Sequence, residues 1–131
     1  MKSAMLWTLM VSLSSLTLAH AEGTLTTQVQ NDEQEKLLAD SIGKTLYVFD
    51  LDAGSVTPKC TGDCAEVWPP YILSADETAH LQAPLGSIVR ANKKAQLTYE
   101  GRPVYTYIFD RIVGDDHGDA IGGVWHYIEL K

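Results

Sequence analysis

Residues 96–110 read QLTYEGRPVYTYIFD, in which two runs rich in β-branched and aromatic residues flank a glycine-containing turn. This pattern is typical of a β-hairpin. Residues 37–49 read LLADSIGKTLYVF and repeat the arrangement around Gly43. Residues 32–39 taken alone also have good helix propensity, but the β-rich run that follows them favours a strand. The sequence therefore predicts two hairpins.

The two hairpins belong to a longer internal repeat. In each copy a tyrosine follows a glycine by four positions, and an aspartate follows that tyrosine by five. A tryptophan lies 21 positions after the tyrosine in the first copy and 20 in the second. These residues are Gly43, Tyr47, Asp52 and Trp68 in the first copy and Gly101, Tyr105, Asp110 and Trp125 in the second. Because the order is shared, we expect a duplicated unit whose copies pack as a pseudo-symmetric pair.

Weaker signals complete the fold prediction. A stiff proline turn is predicted at 68–70, a short helix at 75–82, a strand at 87–90 with a turn at 91–94, and a closing strand at 124–130. About seven short strands joined by glycine and proline turns predict a mostly β fold. We expect one small domain, built from two pseudo-repeated β-hairpin units with one short helix and a Cys60–Cys64 disulfide.

The first 21 residues predict an export signal. They combine a basic start at Lys2, an apolar run over residues 4–19, and small residues at Ala19 and Ala21, where a signal peptidase requires them. The apolar run is shorter than the roughly 20 residues that span a bilayer. We therefore expect cleavage after Ala21 and no membrane insertion of the mature chain.

The mature chain is expected to be periplasmic or secreted. Its residues 22–35 are polar and predict a flexible lead-in. Residues 36–131 then form the folded domain.

Acidic residues dominate the chain, with 17 Asp and Glu against 10 Lys and Arg and a net charge of −7. Cleavage after Ala21 would remove only Lys2 from these groups and bring the net charge to −8. Nucleic acids and anionic membranes bind clustered Lys and Arg, so we expect neither as a partner. An acidic surface is compatible with cations.

Cys60 and Cys64 are the two cysteines of the chain. An even pair in an exported protein predicts a disulfide, and closing so short a loop stabilises a fold by about 2 kcal/mol. A redox-active dithiol or half of a metal site is the alternative. The three residues between the cysteines match neither the thioredoxin-like spacing nor that of zinc-binding pairs, which favours a structural bridge.

A Tyr-x-aromatic-x-x-Asp motif occurs twice, as Tyr47-x-Phe49-x-x-Asp52 and as Tyr105-x-Tyr107-x-x-Asp110. Three further blocks accompany it, at 60–70 (CTGDCAEVWPP), 96–105 (QLTYEGRPVY) and 114–125 (GDDHGDAIGGVW). In these motifs and in their order, the chain resembles a family of secreted-repeat lipoproteins named for the tyrosine motif. The resemblance covers about residues 37–128.

This resemblance implies a fold and a compartment. The family has no established activity, so the resemblance implies no reaction. The chain departs from the family in having no lipid-acceptor cysteine near the predicted cleavage site. We therefore expect a lipoprotein-like domain without a lipid anchor.

Residues 110–119 read DRIVGDDHGD and place four carboxylates and an imidazole in one loop. Such a cluster repels itself unless a cation or water relieves it. Oxygen ligands at this density can bind calcium, whereas His117 with His126 or His80 would suit zinc or copper(II). The loop lacks the ordered spacing of an EF-hand, so a solvated turn is the simpler interpretation. The candidate ligands of a divalent cation are Asp115, Asp116, His117 and Asp119.

The motif residues also have structural interpretations. Asp52 and Asp110 are expected to accept backbone N–H groups in turns. His126 alternates with apolar residues and is expected to be a hydrogen-bonded core histidine. The aromatic side chains are expected to form the core, with a pocket for haem or a quinone as the alternative. They are Tyr47, Phe49, Trp68, Tyr105, Tyr107 and Trp125.

The sequence favours a non-enzymatic function, because no serine of residues 22–131 lies in a Gly-x-Ser-x-Gly setting and no glycine-rich phosphate loop follows a strand. We interpret the chain as a binding or envelope-accessory domain, with a divalent cation as candidate cofactor and an envelope protein as candidate partner. One alternative is a thiol–disulfide redox protein that uses Cys60 and Cys64. Another is a haem- or quinone-binding electron-transfer accessory protein.

Overall fold

The computed structural model describes residues 25–131, which form eight short strands, two α-helices and two 3₁₀ turns. The export signal predicted for residues 1–21 lies outside the described residues. The strands are β1 (Thr26–Gln30), β2 (Lys36–Asp40), β3 (Tyr47–Phe49), β4 (Ile72–Leu73), β5 (Leu85–Val89), β6 (Ala95–Tyr99), β7 (Arg102–Tyr105) and β8 (Trp125–Tyr127). The helices are α1 (Asp63–Val67) and α2 (Ala75–Ala79), and the 3₁₀ turns are Asp50–Asp52 and Ile121–Gly123.

The strands pair antiparallel in two sheets. β1 and β2 form a two-stranded sheet, and the other six strands form a sheet in the order β4-β6-β7-β3-β8, with β5 also paired to β6. At the centre of the larger sheet, β3 of the first copy pairs with β7 of the second, and Tyr47 lies opposite Tyr105. The mostly β fold and the pseudo-symmetric pairing of the two copies therefore agree with the sequence prediction.

The two faces of the central strands build two different cores. Successive side chains of a strand point to opposite faces. Val48 and Val104 therefore join an aliphatic cluster with Leu46 and Leu97, whereas Tyr47 and Tyr105 join an aromatic cluster on the other face. The aromatic cluster positions the candidate site described below.

The flexible lead-in predicted for residues 22–35 is wrong for residues 26–30, which form β1. This strand pairs with β2 in a continuous register from Thr26↔Asp40 to Gln30↔Lys36. Val29, the buried apolar residue of β1, packs with Leu37 and Ala39 of β2. The turn after β1 is closed by Asn31, whose Oδ1 accepts the N–H groups of Glu33 and Glu35.

Several predicted boundaries also differ. The strand expected at 104–110 ends at Tyr105, because the N–H groups of Thr106 and Ile108 leave the sheet and donate to the carbonyls of Pro69 and Val67. The closing strand is shorter than residues 124–130, and the strand expected at 87–90 begins two residues earlier. The helix expected at 75–82 is α2, which starts at a capping box between Ser74 and Glu77. The helix α1 was not predicted.

Candidate functional site

Four aromatic rings form a continuous stack in the order Phe49, Trp125, Trp68, Tyr107. The two tryptophans lie at the centre, with ring centroids 3.8 Å apart and planes 2° from parallel. Phe49 stacks on Trp125 at 4.2 Å, and Tyr107 stacks on Trp68 at 4.3 Å. The stack therefore follows the duplication, since each outer ring of a motif covers the tryptophan of the other copy.

Two crossed hydrogen bonds tie the copies together beside this stack. The hydroxyl of Tyr47 donates to Asp110 Oδ2 at 2.6 Å, and that of Tyr105 donates to Asp52 Oδ2 at 2.7 Å. Each motif tyrosine thus binds the motif aspartate of the other copy. All four side chains are buried.

The second oxygen of each aspartate holds the loop that follows it. Asp52 Oδ1 accepts the N–H of Lys59, and Asp110 Oδ1 accepts the N–H of His117. Both donors lie seven positions after the aspartate. We call residues 52–62 the first-copy loop and residues 110–120 the second-copy loop.

The crossed bonds change the acid–base properties of their partners. Burial, and then the hydrogen bond to a carboxylate, raise the pKa of both Tyr47 and Tyr105. Burial also raises the pKa of Asp110, although the bond from Tyr47 acts in the opposite direction. More distant charges act on the pKa values of the two tyrosines in opposite directions. Asp116 raises the pKa of Tyr47 further, whereas Arg90 lowers that of Tyr105.

The position eight residues after each aspartate differs between the copies. In the first-copy loop it is Cys60, which is completely buried and forms the predicted disulfide with Cys64. In the second-copy loop it is Gly118, whose N–H donates to Tyr47 Oη at 3.2 Å. A Cβ atom at Gly118 would lie 2.6 Å from Trp68 Cη2, so glycine is required for the loop to approach the rings.

Three side chains of the second-copy loop bring ligand atoms together. A carboxylate oxygen of Asp110, a carboxylate oxygen of Asp115 and a ring nitrogen of His117 all lie within 4.8 Å of one another. Asp115 Oδ1 is 3.6 Å from His117 Nε2. Asp115 Oδ2 accepts the N–H groups of Arg111 and Ile112, and these bonds lower the pKa of Asp115.

The other two predicted ligands lie outside this group. Asp116 Oδ2 accepts a hydrogen bond from Asn31 Nδ2 at 3.1 Å, and Asp119 Oδ1 accepts one from the N–H of Tyr127 at 3.2 Å. The structure therefore groups Asp115 and His117 with Asp110, a carboxylate of the same cluster that is not among the ligands predicted from the sequence.

The remaining histidines are placed elsewhere. His126 is not the core histidine that the strand pattern predicted, because β8 is the edge strand of its sheet and the His126 side chain is 43 % exposed. Its Nε2 lies 2.8 Å from Asp50 Oδ2, and this hydrogen bond lowers the pKa of Asp50. His80 follows α2, and its Nδ1 is 2.8 Å from the carbonyl oxygen of Asp76.

Sequence analysis missed a buried polar pair beside the first-copy loop. Gln96 is completely buried and donates through Nε2 to the carbonyl of Val104. Its Oε1 accepts a hydrogen bond from Arg90 at 2.7 Å. The only available signal was a glutamine within an apolar strand, and no spacing distinguishes Arg90 from an exposed arginine.

Fold and site together define a small β domain made of two interlocked copies of one unit. Two segments of the chain, residues 29–71 and 86–129, each match the model of a family described as a secreted repeat of unknown function. The chain belongs to that family, and its description agrees with the predicted periplasmic or secreted location. Neither the curated proteins nor the solved structures gave a match to the chain. Across residues 25–131, the helices are too short or too polar to cross a membrane.

Proposed function

We propose that the chain is a non-enzymatic secreted binding domain that takes a divalent transition-metal ion at Asp110, Asp115 and His117. The observation that carries this proposal is the convergence of three ligand atoms from different residues within 4.8 Å. Asp110 is held from both sides by Tyr47 and by the N–H of His117, so the group is built on the buried core. Each of its carboxylate oxygens retains a further lone pair for a metal ion.

The donor set favours zinc or copper(II) over calcium. Calcium takes six to eight oxygen ligands, whereas zinc commonly takes three protein ligands with nitrogen among them, and copper(II) also prefers imidazole. One imidazole and two carboxylates fit the smaller set. A water molecule would complete a four-coordinate zinc site.

The first-copy loop supports a specific role for these side chains. The residues at the positions of Asp115 and His117 are Thr57 and Lys59, five and seven places after Asp52. Lys59 makes the same backbone bond as His117, so the turn forms without an imidazole. The carboxylate of Asp115 and the imidazole of His117 are therefore additions to a shared backbone.

The proposal also assigns the chain no catalytic activity. Ser74 caps α2, and the hydroxyl of Ser55 donates to the carbonyl of Thr57. Both hydroxyls therefore make local hydrogen bonds that stabilise a helix end or a turn. The absence of nucleic acid partners, and the presence of an envelope protein partner, remain predictions.

Two alternatives receive less support from the structure. A thiol–disulfide redox role would depend on the partly buried Cys64 alone, because its partner Cys60 is completely buried against the ring stack. A haem or quinone would need an apolar pocket lined by the aromatic residues, whereas Phe49, Trp125, Trp68 and Tyr107 stack directly on one another. A Cys60→Ala, Cys64→Ala variant should accordingly lose stability without losing an electron-transfer activity.

Metal titration of the mature chain, residues 22–131, tests the proposal. Zinc or copper(II) at a hundred times its dissociation constant should stabilise the fold by about 2.7 kcal/mol, measured by thermal unfolding. His117→Gln should abolish this stabilisation, whereas His80→Gln, which removes an exposed histidine outside the group, should retain it. Equal responses in the two variants, or no response to any of zinc, copper(II) and calcium, would reject the metal site.

A further inference from the structure

A second site, unrelated to the metal proposal, lies beside the first-copy loop and is centred on Arg90. This residue follows β5 and opens the turn to β6, where its N–H and carbonyl both bond to the turn. Its side chain points inward and the residue is only 8 % exposed. A guanidinium is charged at any accessible pH, so the fold buries a permanent cation here.

The partners that Arg90 contacts are neutral. One terminal nitrogen donates to Gln96 Oε1 at 2.7 Å, and the other donates to the carbonyl of Cys60 at 2.8 Å. Of the ion pairs within 4 Å in residues 25–131, none involves Arg90. Its charge lowers the pKa of Tyr105, whose hydroxyl donates to the Asp52 carboxylate.

Arg90 forms part of the wall of an open pocket of about 300 Å³. Pockets for small ligands start at about this volume. The structure gives no protein acceptor for the Nε of Arg90, and every fully buried side-chain nitrogen in the described chain has a partner. This Nε therefore keeps some exposure to solvent. The other lining residues include the polar Thr57, Thr61 and Asn92 and the apolar Pro58, Ala65 and Pro70.

The chain segment that contains Arg90 is positively charged, which favours an anionic ligand. Residues 83–99 contain Arg90, Lys93 and Lys94 and no acidic residue, although acidic groups outnumber basic ones in the chain as a whole. Lys93 and Lys94 are exposed in the turn that follows Arg90. The other wall of the pocket comes from residues 57–70, which contain one basic and two acidic residues, so the two segments together carry a net charge of +2.

We propose that this pocket binds a small molecule through an oxyanion group, a carboxylate or a phosphate, held by Arg90. Guanidinium groups bind these planar or tetrahedral anions through charge-assisted hydrogen bonds. An anion in the pocket would supply the negative partner that the buried cation lacks. The hydroxyls of Thr57 and Thr61 and the amide of Asn92 supply neutral donors, and the prolines contact the apolar part of the ligand.

Heteronuclear NMR titration of the mature chain, residues 22–131, with phosphate and with acetate tests the site. Chloride at equal ionic strength serves as the reference. We expect saturable shifts of the amide signals of Thr61, Gly62 and Asn92 with one oxyanion or both. A response to phosphate alone identifies a phosphate ligand, and a response to acetate alone identifies a carboxylate. Shifts with neither oxyanion beyond the chloride reference would overturn the proposal.

Two variants separate binding from folding. Asn92→Asp retains an oxygen for the N–H of Lys94, which bonds to Asn92 now, and adds a negative charge to the pocket wall. It should weaken oxyanion binding about tenfold or more, because a charged group replaces a neutral donor. Gln28→Glu adds the same charge on an exposed position of β1 and should leave the affinity unchanged. Equal affinities in the two variants would overturn the proposal.

Arg90→Gln should also weaken binding at least tenfold. Its matched control is Lys36→Gln, which removes one positive charge from an exposed position of β2. Where Arg90→Gln does not fold, the Asn92→Asp comparison decides. Metal binding at His117 is measured separately, so failure of one site leaves the other intact.

Discussion

The first-copy loop and the second-copy loop have the same backbone hydrogen-bond pattern but differ in the charge of their side chains. In both, the aspartate accepts a tyrosine hydroxyl from the other copy and an N–H seven residues later. The first-copy loop lies beside buried Arg90, whereas the second-copy loop carries four carboxylates. The comparison teaches that the duplicated unit supplies one backbone arrangement, and that the side chains carried by each loop give it a different charge.

The largest expected loss of stability is at Gly118, where the second-copy loop lies closest to the aromatic rings. Gly118→Ala should destabilise the fold by about 3 kcal/mol, because its Cβ would meet Trp68, which is held in the ring stack, and Tyr47, which packs edge-on against Trp68. Denaturant unfolding measures the loss. Gly54→Ala is the control, since its φ of +71° imposes backbone strain while nothing lies within 4 Å of the added carbon. A loss at Gly118 no greater than that at Gly54 would show that the rings can move.

The two crossed hydrogen bonds should contribute unequally to the free energy of unfolding. Tyr47→Phe leaves Asp110 without its hydroxyl donor and the N–H of Gly118 without its acceptor, and should cost about 2 kcal/mol. Tyr105→Phe removes the donor to Asp52 and the contact with the Gln96 amide, which keeps its bond to the carbonyl of Val104, and should cost about 1 kcal/mol. Denaturant unfolding of both variants and of the double variant measures these costs. The opposite ranking would contradict the role of the Gly118 bond.

The smallest effect is a difference in alkaline titration. Both tyrosines have raised pKa values, so their contribution to stability is complete below pH of about 10 and is lost as the pH rises from there towards the folded pKa. Asp116→Asn should lower the pKa of Tyr47, whereas Arg90→Gln should raise that of Tyr105. The Cζ chemical shifts of the two tyrosines, followed by NMR as the pH rises above about 10, measure each pKa separately. Shifts of the same sign would mean that the two loops do not differ in local charge.

Much of the fold was accessible from the sequence because duplication is visible in spacing. The equal distances from glycine to tyrosine and from tyrosine to aspartate predicted two like units, and Tyr47 indeed pairs with Tyr105 in the central register. The strand β1 was missed because Val29 is its single buried apolar side chain, and its polar neighbours resemble a loop.

The candidate sites were less accessible. Spacing cannot reveal which copy supplies the partner of a tyrosine, so the exchange between Tyr47 and Asp110 was not foreseen. The composition of residues 110–119 indicated a cluster, but only the folded loop turns Asp116 towards Asn31 and leaves Asp110 beside His117. Arg90 was missed because burial of a charged side chain depends on partners distant in the chain, here the carbonyl of Cys60.

The exchange of partners between tyrosines and aspartates has a consequence for cooperativity. If one half of the chain unravelled, the other would keep a buried carboxylate without its hydroxyl and a hydroxyl without its carboxylate. Each half would also lose the ring that covers its tryptophan. A partly melted species would therefore lose contacts on both sides of the break, and we expect the two halves to melt in a single all-or-none transition.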